Sequence, residues 1–257
     1  MAESQRRPLE KGSLFKTNNG EFVEVIEYLN KSKVLIEFKD ENKYRKWVEK
    51  SQVVKGEIKN PYTKSVFARG FIGVGDYRAK QNRKDTKEYI AWSGMFWRCY
   101  SESKLEKNPT YVGCEVAEKW YNYQKFCEWY CSRPQYLLNW QLDKDLLSSG
   151  SKIYSEETCC LLPGEVNAFL ADRSVKSNGL PPGVYWVKRE GKYKAQIRDR
   201  FYESQRLLGL SNDLDYLFNL YKEAKESQAI YLAEKWKDSL DEIAYEKLKT
   251  YTIEWRK

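Results

Sequence analysis

Between Leu14 and Val54, apolar and polar residues alternate in short runs, and turn residues interrupt each run. A period of two buries one face of a strand and leaves the other in water, so this pattern commits the N-terminal part of the chain to β structure. Leu14-Phe15 and Phe22–Tyr28 flank Asn18-Asn19-Gly20, a hairpin turn. Asn30-Lys31-Ser32 turns the chain into Val34–Phe38, and Asp40-Glu41-Asn42 leads into Tyr44–Val48. Val53-Val54 is expected to close the set. Four or five such strands within residues 9–58 predict a small antiparallel β barrel.

The chemistry open to the chain is restricted by a second feature: among 257 residues there is no histidine. Ser-His-Asp and Cys-His catalysis are excluded, and so are histidine-containing zinc sites. Any reaction must use carboxylates, Lys, Tyr, Ser or Cys. Cys99, Cys114, Cys127, Cys131, Cys159 and Cys160 form no pair of C-x-x-C knuckles, and read as small buried hydrophobes in a reduced chain. A mean hydropathy of −0.79 argues against a membrane span. Residues 1–8 lack the apolar core of a signal peptide, so the cytoplasm is the expected compartment. Nine Trp, twenty Tyr and ten Phe supply enough bulk to argue against disorder.

The net charge of +8 is unevenly placed. Lys64, Arg69, Arg78, Lys80, Arg83 and Lys84 crowd one segment. Residues 180–210 carry seven basic side chains against three acidic ones. Localised positive charge suggests a polyanionic partner. The segment 61–88, with Gly70, Gly73 and Gly75, is expected to be an irregular basic connector that exposes its backbone. Its glycines do not follow the dinucleotide order G-x-G-x-x-G.

Helical spacing then predicts two helices, Glu88–Tyr100 and Glu115–Cys131, separated by Asn108-Pro109. In the first, Ile90, Ala91, Met95 and, more loosely, Trp97 and Tyr100 share a face. In the second, Val116, Trp120, Tyr123, Phe126, Cys127 and Tyr130 do. Residues 138–170 outline a ββα unit: strands Leu138–Leu142 and Cys159–Leu162, then a helix from Pro163. Three strands, Gly183–Lys188, Lys192–Asp199 and Ser204–Gly209, precede a helix capped by Ser211 or Asn212. Glu190-Gly191 is expected as a two-residue type I′ turn. Ser239 with Glu242 could restart a terminal helix as a capping box.

The run Leu142-Asp143-Lys144-Asp145, Gly150, Tyr154, Thr158-Cys159, Pro163 and Asn167 resembles the ββα-metal core of HNH homing endonucleases of tailed bacteriophages. Trp92, Met95, Arg98-Cys99-Tyr100, Asn108 to Tyr111, Trp120 and Phe126 support the likeness. The segment from Gly183 through Tyr185-Trp186-Val187-Lys188-Arg189 to Ile197 resembles the plant ethylene-response-factor DNA-binding domain. Together these imply an α+β, multi-domain protein. It comprises a β barrel at 9–58, a degenerate HNH-like ββα region with preceding helices at 61–173, a three-stranded sheet plus helix at 180–226 and a helical tail at 227–257.

The HNH resemblance implies a catalytic pair at Asp143 and Lys144, with lysine standing where the family has its histidine base. It also implies a possible Mg²⁺ site at Asp143 and Asn167. A lysine with a pKa near ~10.4 is a poor base at neutral pH, so this core is expected to be catalytically impaired. Strand alternation places Tyr185, Val187, Tyr193, Ala195 and Ile197 on one sheet face, and Trp186, Lys188, Lys192 and Lys194 on the other. The likeness to the plant domain implies that the second face, with Arg189, Arg198 and Arg200, contacts duplex DNA. Arg69, Arg78 and Lys80 would extend that contact along the backbone. Two other readings stay open: an active Mg²⁺ nuclease with a non-histidine base, and a protein that binds and inhibits a host enzyme.

Overall fold

The computed structural model describes residues 9–148, 150–171, 179–199 and 204–255. The chain forms two compact units, one of Met1–Thr86 with Tyr121–Lys125, the other of Lys87–Trp120 with Phe126–Lys257. Helices and several small sheets are both present, which makes the fold α+β.

The first unit is built on an antiparallel sheet in the order β1 (Leu14–Lys16), β2 (Phe22–Asn30), β3 (Lys33–Phe38) and β4 (Arg45–Val48). Alternation sends Val23, Val25, Val34, Ile36, Phe38 and Val48 into its core. Among the described residues no pairing joins β4 to β1, so the sheet is a meander rather than a hydrogen-bonded barrel. The expected closing strand at Val53-Val54 is instead a short helix, α1 (Lys50–Lys55). Gln52 Oε1 accepts the Glu49 N–H at 3.0 Å, and Gly56 ends the helix in the left-handed region at φ 66°. Val53 still reaches the core. The connector after Pro61 is more ordered than expected. It contains a tight turn bridging Val66 and Gly70, and a hairpin of β5 (Lys80–Gln81) and β6 (Lys84–Asp85). Asn82 and Arg83 turn that hairpin at φ 51° and 65°.

In the second unit, α2 (Lys87–Tyr100) and α3 (Glu102–Lys107) lead to β7 (Glu115–Val116); α4 spans Tyr123–Ser132, its first turn belonging to the first unit. The stripe of α2 that is buried runs through Trp92, Met95, Phe96 and Cys99. Ile90 and Trp97, expected on the core face, are 60% and 47% exposed; Trp97 lies under the Lys104 ammonium. The single helix expected over Glu115–Cys131 is a strand, a 3₁₀ turn at Glu118–Tyr121 and α4. Its aromatic positions are core all the same. Trp92 Nε1 donates to the Trp120 carbonyl at 2.7 Å, and Trp120 packs on Phe126 and Trp129 with centroids 5.3 and 4.8 Å away.

The ββα outline is present as β8 (Gln141–Asp143), β10 (Cys160–Leu162) and α5 (Gly164–Leu170), with β8 and β10 antiparallel. Leu138, expected in the first strand, ends a 3₁₀ turn, and Asn139 at φ 55° resets the backbone before β8. Between the two strands, β9 (Ile153–Tyr154) pairs in parallel with β7.

A three-stranded antiparallel sheet follows, in the order β11 (Val184–Val187), β12 (Lys192–Asp199) and β13 (Ser204–Ser211). It packs on α6 (Leu214–Trp236), which runs unbroken through position 226, and α7 (Glu242–Lys249) packs on α6 in turn. The α6 cap is Asp213, which accepts the Tyr216 N–H at 3.0 Å, rather than Ser211 or Asn212; Asp241 replaces Ser239 ahead of α7.

Gly183 sits where the sheet meets α6, at φ 72°, and a Cβ there would lie 2.0 Å from the fully buried Tyr221 ring. Gly183→Ala combines a left-handed backbone with a steric clash. It is expected to lower the stability of the second unit by about 2–4 kcal/mol, read as an earlier denaturant midpoint.

Candidate functional site

Two places in the second unit carry most of the residues singled out by sequence. The first is a cavity of about 150 Å³ in the ββα region, lined by Asp143, Lys144, Asn167, Arg98 and Tyr154. At ~30 Å³ per water it has room for only a few solvent molecules. The structure therefore does bring Asp143, Lys144 and Asn167 together, but each is engaged with protein. Asp143 Oδ1 accepts the N–H groups of Asp145 at 3.0 Å and Leu146 at 2.9 Å. Asn167 Nδ2 donates to Gln141 Oε1 at 2.6 Å. The Lys144 ammonium is ion-paired with Asp145 and lies 5.7 Å from the Tyr154 ring centre. Arg98 Nε donates to the Tyr154 hydroxyl at 2.9 Å.

The electrostatics do not suit a base. Burial pulls the Lys144 pKa down, but the hydrogen bond and the attraction of Asp145 outweigh it, and the net direction is upward. Lys144 is a protonated cation at neutral pH. Burial, only partly opposed by the Leu146 N–H, raises Asp143 above its ordinary value. Burial also pushes the Cys159 thiol up to about 12, which removes it as a nucleophile.

What speaks against Mg²⁺ here is the buried Lys144 ammonium, which shares the cavity with Asp143. Mg²⁺ is commonly held by one or two carboxylates and retains several waters. Among the described residues no group of three or more His, Cys, Asp and Glu side chains could hold a metal. The Asn167 amide is hydrogen-bonded to Gln141, and a buried ammonium shares the cavity.

The second place is the sheet. Its register pairs Val184 with Ala195, Tyr185 with Lys194, Trp186 with Tyr193 and Val187 with Lys192. Residues directly opposite share a face. Val184, Trp186, Tyr193 and Ala195 therefore face α6, where Val184, Ala195 and Leu217 form a core. Tyr185, Val187, Lys192, Lys194, Gln196 and Arg198 face away. This corrects the expected faces: Trp186 is 52% exposed but belongs to the helix side, its ring 4.8 Å from that of Tyr193. The expected two-residue turn at Glu190-Gly191 is a four-residue loop, Lys188 to Gly191. With any even-length loop, an even-numbered residue on β11 pairs with an odd-numbered one on β12, so the parity must swap across the turn.

The open face gains residues that strand-by-strand alternation missed. Tyr185 joins Lys192 and Lys194, and β13 adds Leu210 opposite Lys194, Leu207 opposite Gln196 and Gln205 opposite Arg198. Asp199 points to the α6 side, buried and paired with Arg206 at 3.4 Å. Among the described strand residues the open face carries no acid. Lys188 is exposed in the loop, and Arg189 is paired there with Glu190 at 2.9 Å. Arg200 lies outside the described residues. Arg69, Arg78 and Lys80 belong to the first unit, all exposed. Arg69 Nη1 lies 3.4 Å from the Tyr121 hydroxyl, and Lys80 pairs with Asp85 at 3.4 Å.

Comparison of the chain with protein-family models, with characterised proteins and with solved structures returned no match. Among the described residues no helix is long and apolar enough to cross a membrane.

The buried carboxyl gives a signed prediction. Because the Asp143 pKa is raised in the folded chain, the charged form costs stability at pH 7, and that cost fades as pH falls through the folded value toward the unfolded one near 3.8. Asparagine retains the oxygen that accepts the two N–H groups. Asp143→Asn is expected to match or exceed the parent in stability at pH 7, with the difference shrinking toward a pH of about 4, as followed by denaturant unfolding at stepped pH. A loss at pH 7 greater than about 1 kcal/mol would contradict this account.

Proposed function

We propose that the chain binds duplex DNA through the open face of the three-stranded sheet, and that its ββα region serves as a catalytically silent scaffold. The observation that carries this reading is the register. It gathers Lys192, Lys194 and Arg198 on one face with Tyr185, Gln196 and Gln205, and it turns the buried Asp199 to the opposite side. Cations on such a face meet phosphates, while amides and guanidinium groups reach base edges in a groove. The resemblance to the ethylene-response-factor domain and to phage HNH proteins supports the same reading. It makes duplex DNA in the cytoplasm of an infected bacterium the partner and the setting.

Binding by such a face is electrostatic in large part, so log K is expected to fall linearly with log salt. The variant Lys192→Ala, Lys194→Ala, Arg198→Ala should reduce the slope by about two to three, at roughly 0.9 per lost phosphate contact. Trp186→Ala should leave that slope unchanged and cost about 0.5–1 kcal/mol of sheet stability, because its ring packs on Tyr193 on the other side. Anisotropy titrations with a labelled duplex measure the slope. A parent chain with no affinity at about 50 mM salt would end the reading.

The silent scaffold is tested separately. Supercoiled plasmid incubated with the parent chain in Mg²⁺ or Mn²⁺ is expected to remain unnicked. Efficient nicking that disappears in Asp143→Ala would establish an active nuclease instead.

A further inference from the structure

A second recess, of about 630 Å³, opens on the first unit. Two cations reach it, Lys46 from β4 and Lys59 from the segment after α1. Neither has an ion-pair partner among the described residues, and no carboxylate lines the recess. The Asn19 amide and the Ser65 hydroxyl also line it. Nearby, Glu21 and Asp40 accept from the buried Asn60 amide at 3.1 and 2.7 Å and do not themselves form the wall.

The loop Ile72–Gly75 also lines it. The Gly73 N–H donates to the Pro61 carbonyl at 2.9 Å. The next two N–H groups, of Val74 and Gly75, have no acceptor among the described residues. The loop is held in shape from the protein side. Gln124, 4% exposed, donates to the carbonyls of Ile72 at 3.1 Å and Tyr77 at 3.0 Å, and accepts the Tyr77 N–H at 3.0 Å. A Cβ at Gly73 would lie 2.3 Å from Asn122 Oδ1, and one at Gly75 2.4 Å from Gln124 Oε1. Neither glycine has room for a side chain while Asn122 and Gln124 keep these positions, and the loop they shape carries two successive N–H donors without an acceptor among the described residues. Successive backbone N–H groups beside lysines form an anion-binding concavity. The recess is far larger than one phosphate and falls within the ~300–1,000 Å³ range of small-molecule sites. Tyr44, Pro61 and Ile72 give it an apolar side, with the Tyr44 ring braced by Phe38 and Tyr62 at 6.2 and 5.9 Å.

We propose that this recess binds the phosphate of a nucleotide, free or within a nucleic-acid strand, on Lys46, Lys59 and the N–H groups of Val74 and Gly75. The sugar or base lies against Tyr44. This site is independent of the sheet in the second unit.

The test uses the full chain and two probes, thymidine 5′-monophosphate and an eight-residue oligothymidylate. Backbone amide shifts of Val74 and Gly75 report occupancy, and anisotropy of the labelled oligomer reports affinity. Shifts with the mononucleotide identify a free nucleotide as sufficient; shifts with the oligomer alone identify a strand. Lys46→Glu with Lys59→Glu is expected to weaken oligomer binding at least tenfold. Lys31→Glu with Lys33→Glu, an equal charge change outside the recess, is expected to weaken it less than threefold. The sheet variant Lys192→Ala, Lys194→Ala, Arg198→Ala should leave the Val74 and Gly75 shifts in place, so failure of the duplex reading and failure of this one are distinguishable. Unmoved amides with both probes, or equal losses in the two lysine pairs, would overturn the proposal.

Discussion

The second unit depends on one buried cation. Lys225, 3% exposed in the middle of α6, donates from Nζ to the Phe169 carbonyl at 2.8 Å and lies 3.9 Å from the centre of the Phe169 ring. An ammonium buried without partners would cost several kcal/mol. Here it meets the C-terminal turn of α5, where helix carbonyls are unsatisfied and the helix dipole favours a cation. Farther along α6, Trp236 Nε1 donates to Glu165 at 2.6 Å and Lys235 pairs with the same carboxylate at 2.7 Å. The N-terminal half of α6 covers the three-stranded sheet through Leu217 and Tyr221. One helix therefore sets the position of both the ββα helix and the sheet, and each holds its geometry only while α6 is docked.

That arrangement explains how the ββα outline is held in place independently of any chemistry at Asp143. The strands and helix of the ββα region are retained by packing, since Leu161, Leu162, Val166 and Phe169 are all core. The polar groups of the cavity are each engaged within the protein: Asp143 Oδ1 by two backbone N–H groups, Asn167 Nδ2 by Gln141, Lys144 by Asp145. Two other features lie on surfaces outside the cavity. These are the acid-free face of the sheet and the donor-lined recess of the first unit.

The failures of sequence reasoning have particular causes. Periodicity locates α2 but not its buried stripe: Trp92 and Trp97 lie about 140° apart on a helix, and spacing alone does not say that the face of Trp92, bonded to the Trp120 carbonyl, is buried while Trp97 stays outside under Lys104. Val53-Val54 resembles a strand in sequence because the burial of Val53 is real, while the Glu49–Gln52 cap and Gly56 at the helix end are the local signals that make the segment helical. The faces of the three-stranded sheet are legible in the sequence, since pairing parity follows from an even loop length, whereas counting along each strand separately puts Trp186 on the wrong one. The parallel pairing of β7 with β9 was not legible, because it joins Glu115 to Ile153 through contacts that no local pattern encodes.

By itself the sequence determined the period-two strands of the N-terminal sheet, the ββα order around Asp143 and Asn167, the sheet-then-helix order after Gly183, and the absence of imidazole chemistry. These follow from side-chain periodicity, turn residues and composition, which act over a few neighbouring positions. Only the tertiary structure decided which groups are left free. Whether Lys144, Asp143 and Asn167 face a substrate or one another, and whether Val74 and Gly75 keep their N–H donors unpaired, depends on residues tens of positions away, such as Gln141 and Gln124. Hydrogen bonds and desolvation act at distances of a few ångströms in space, and chain order does not record those distances.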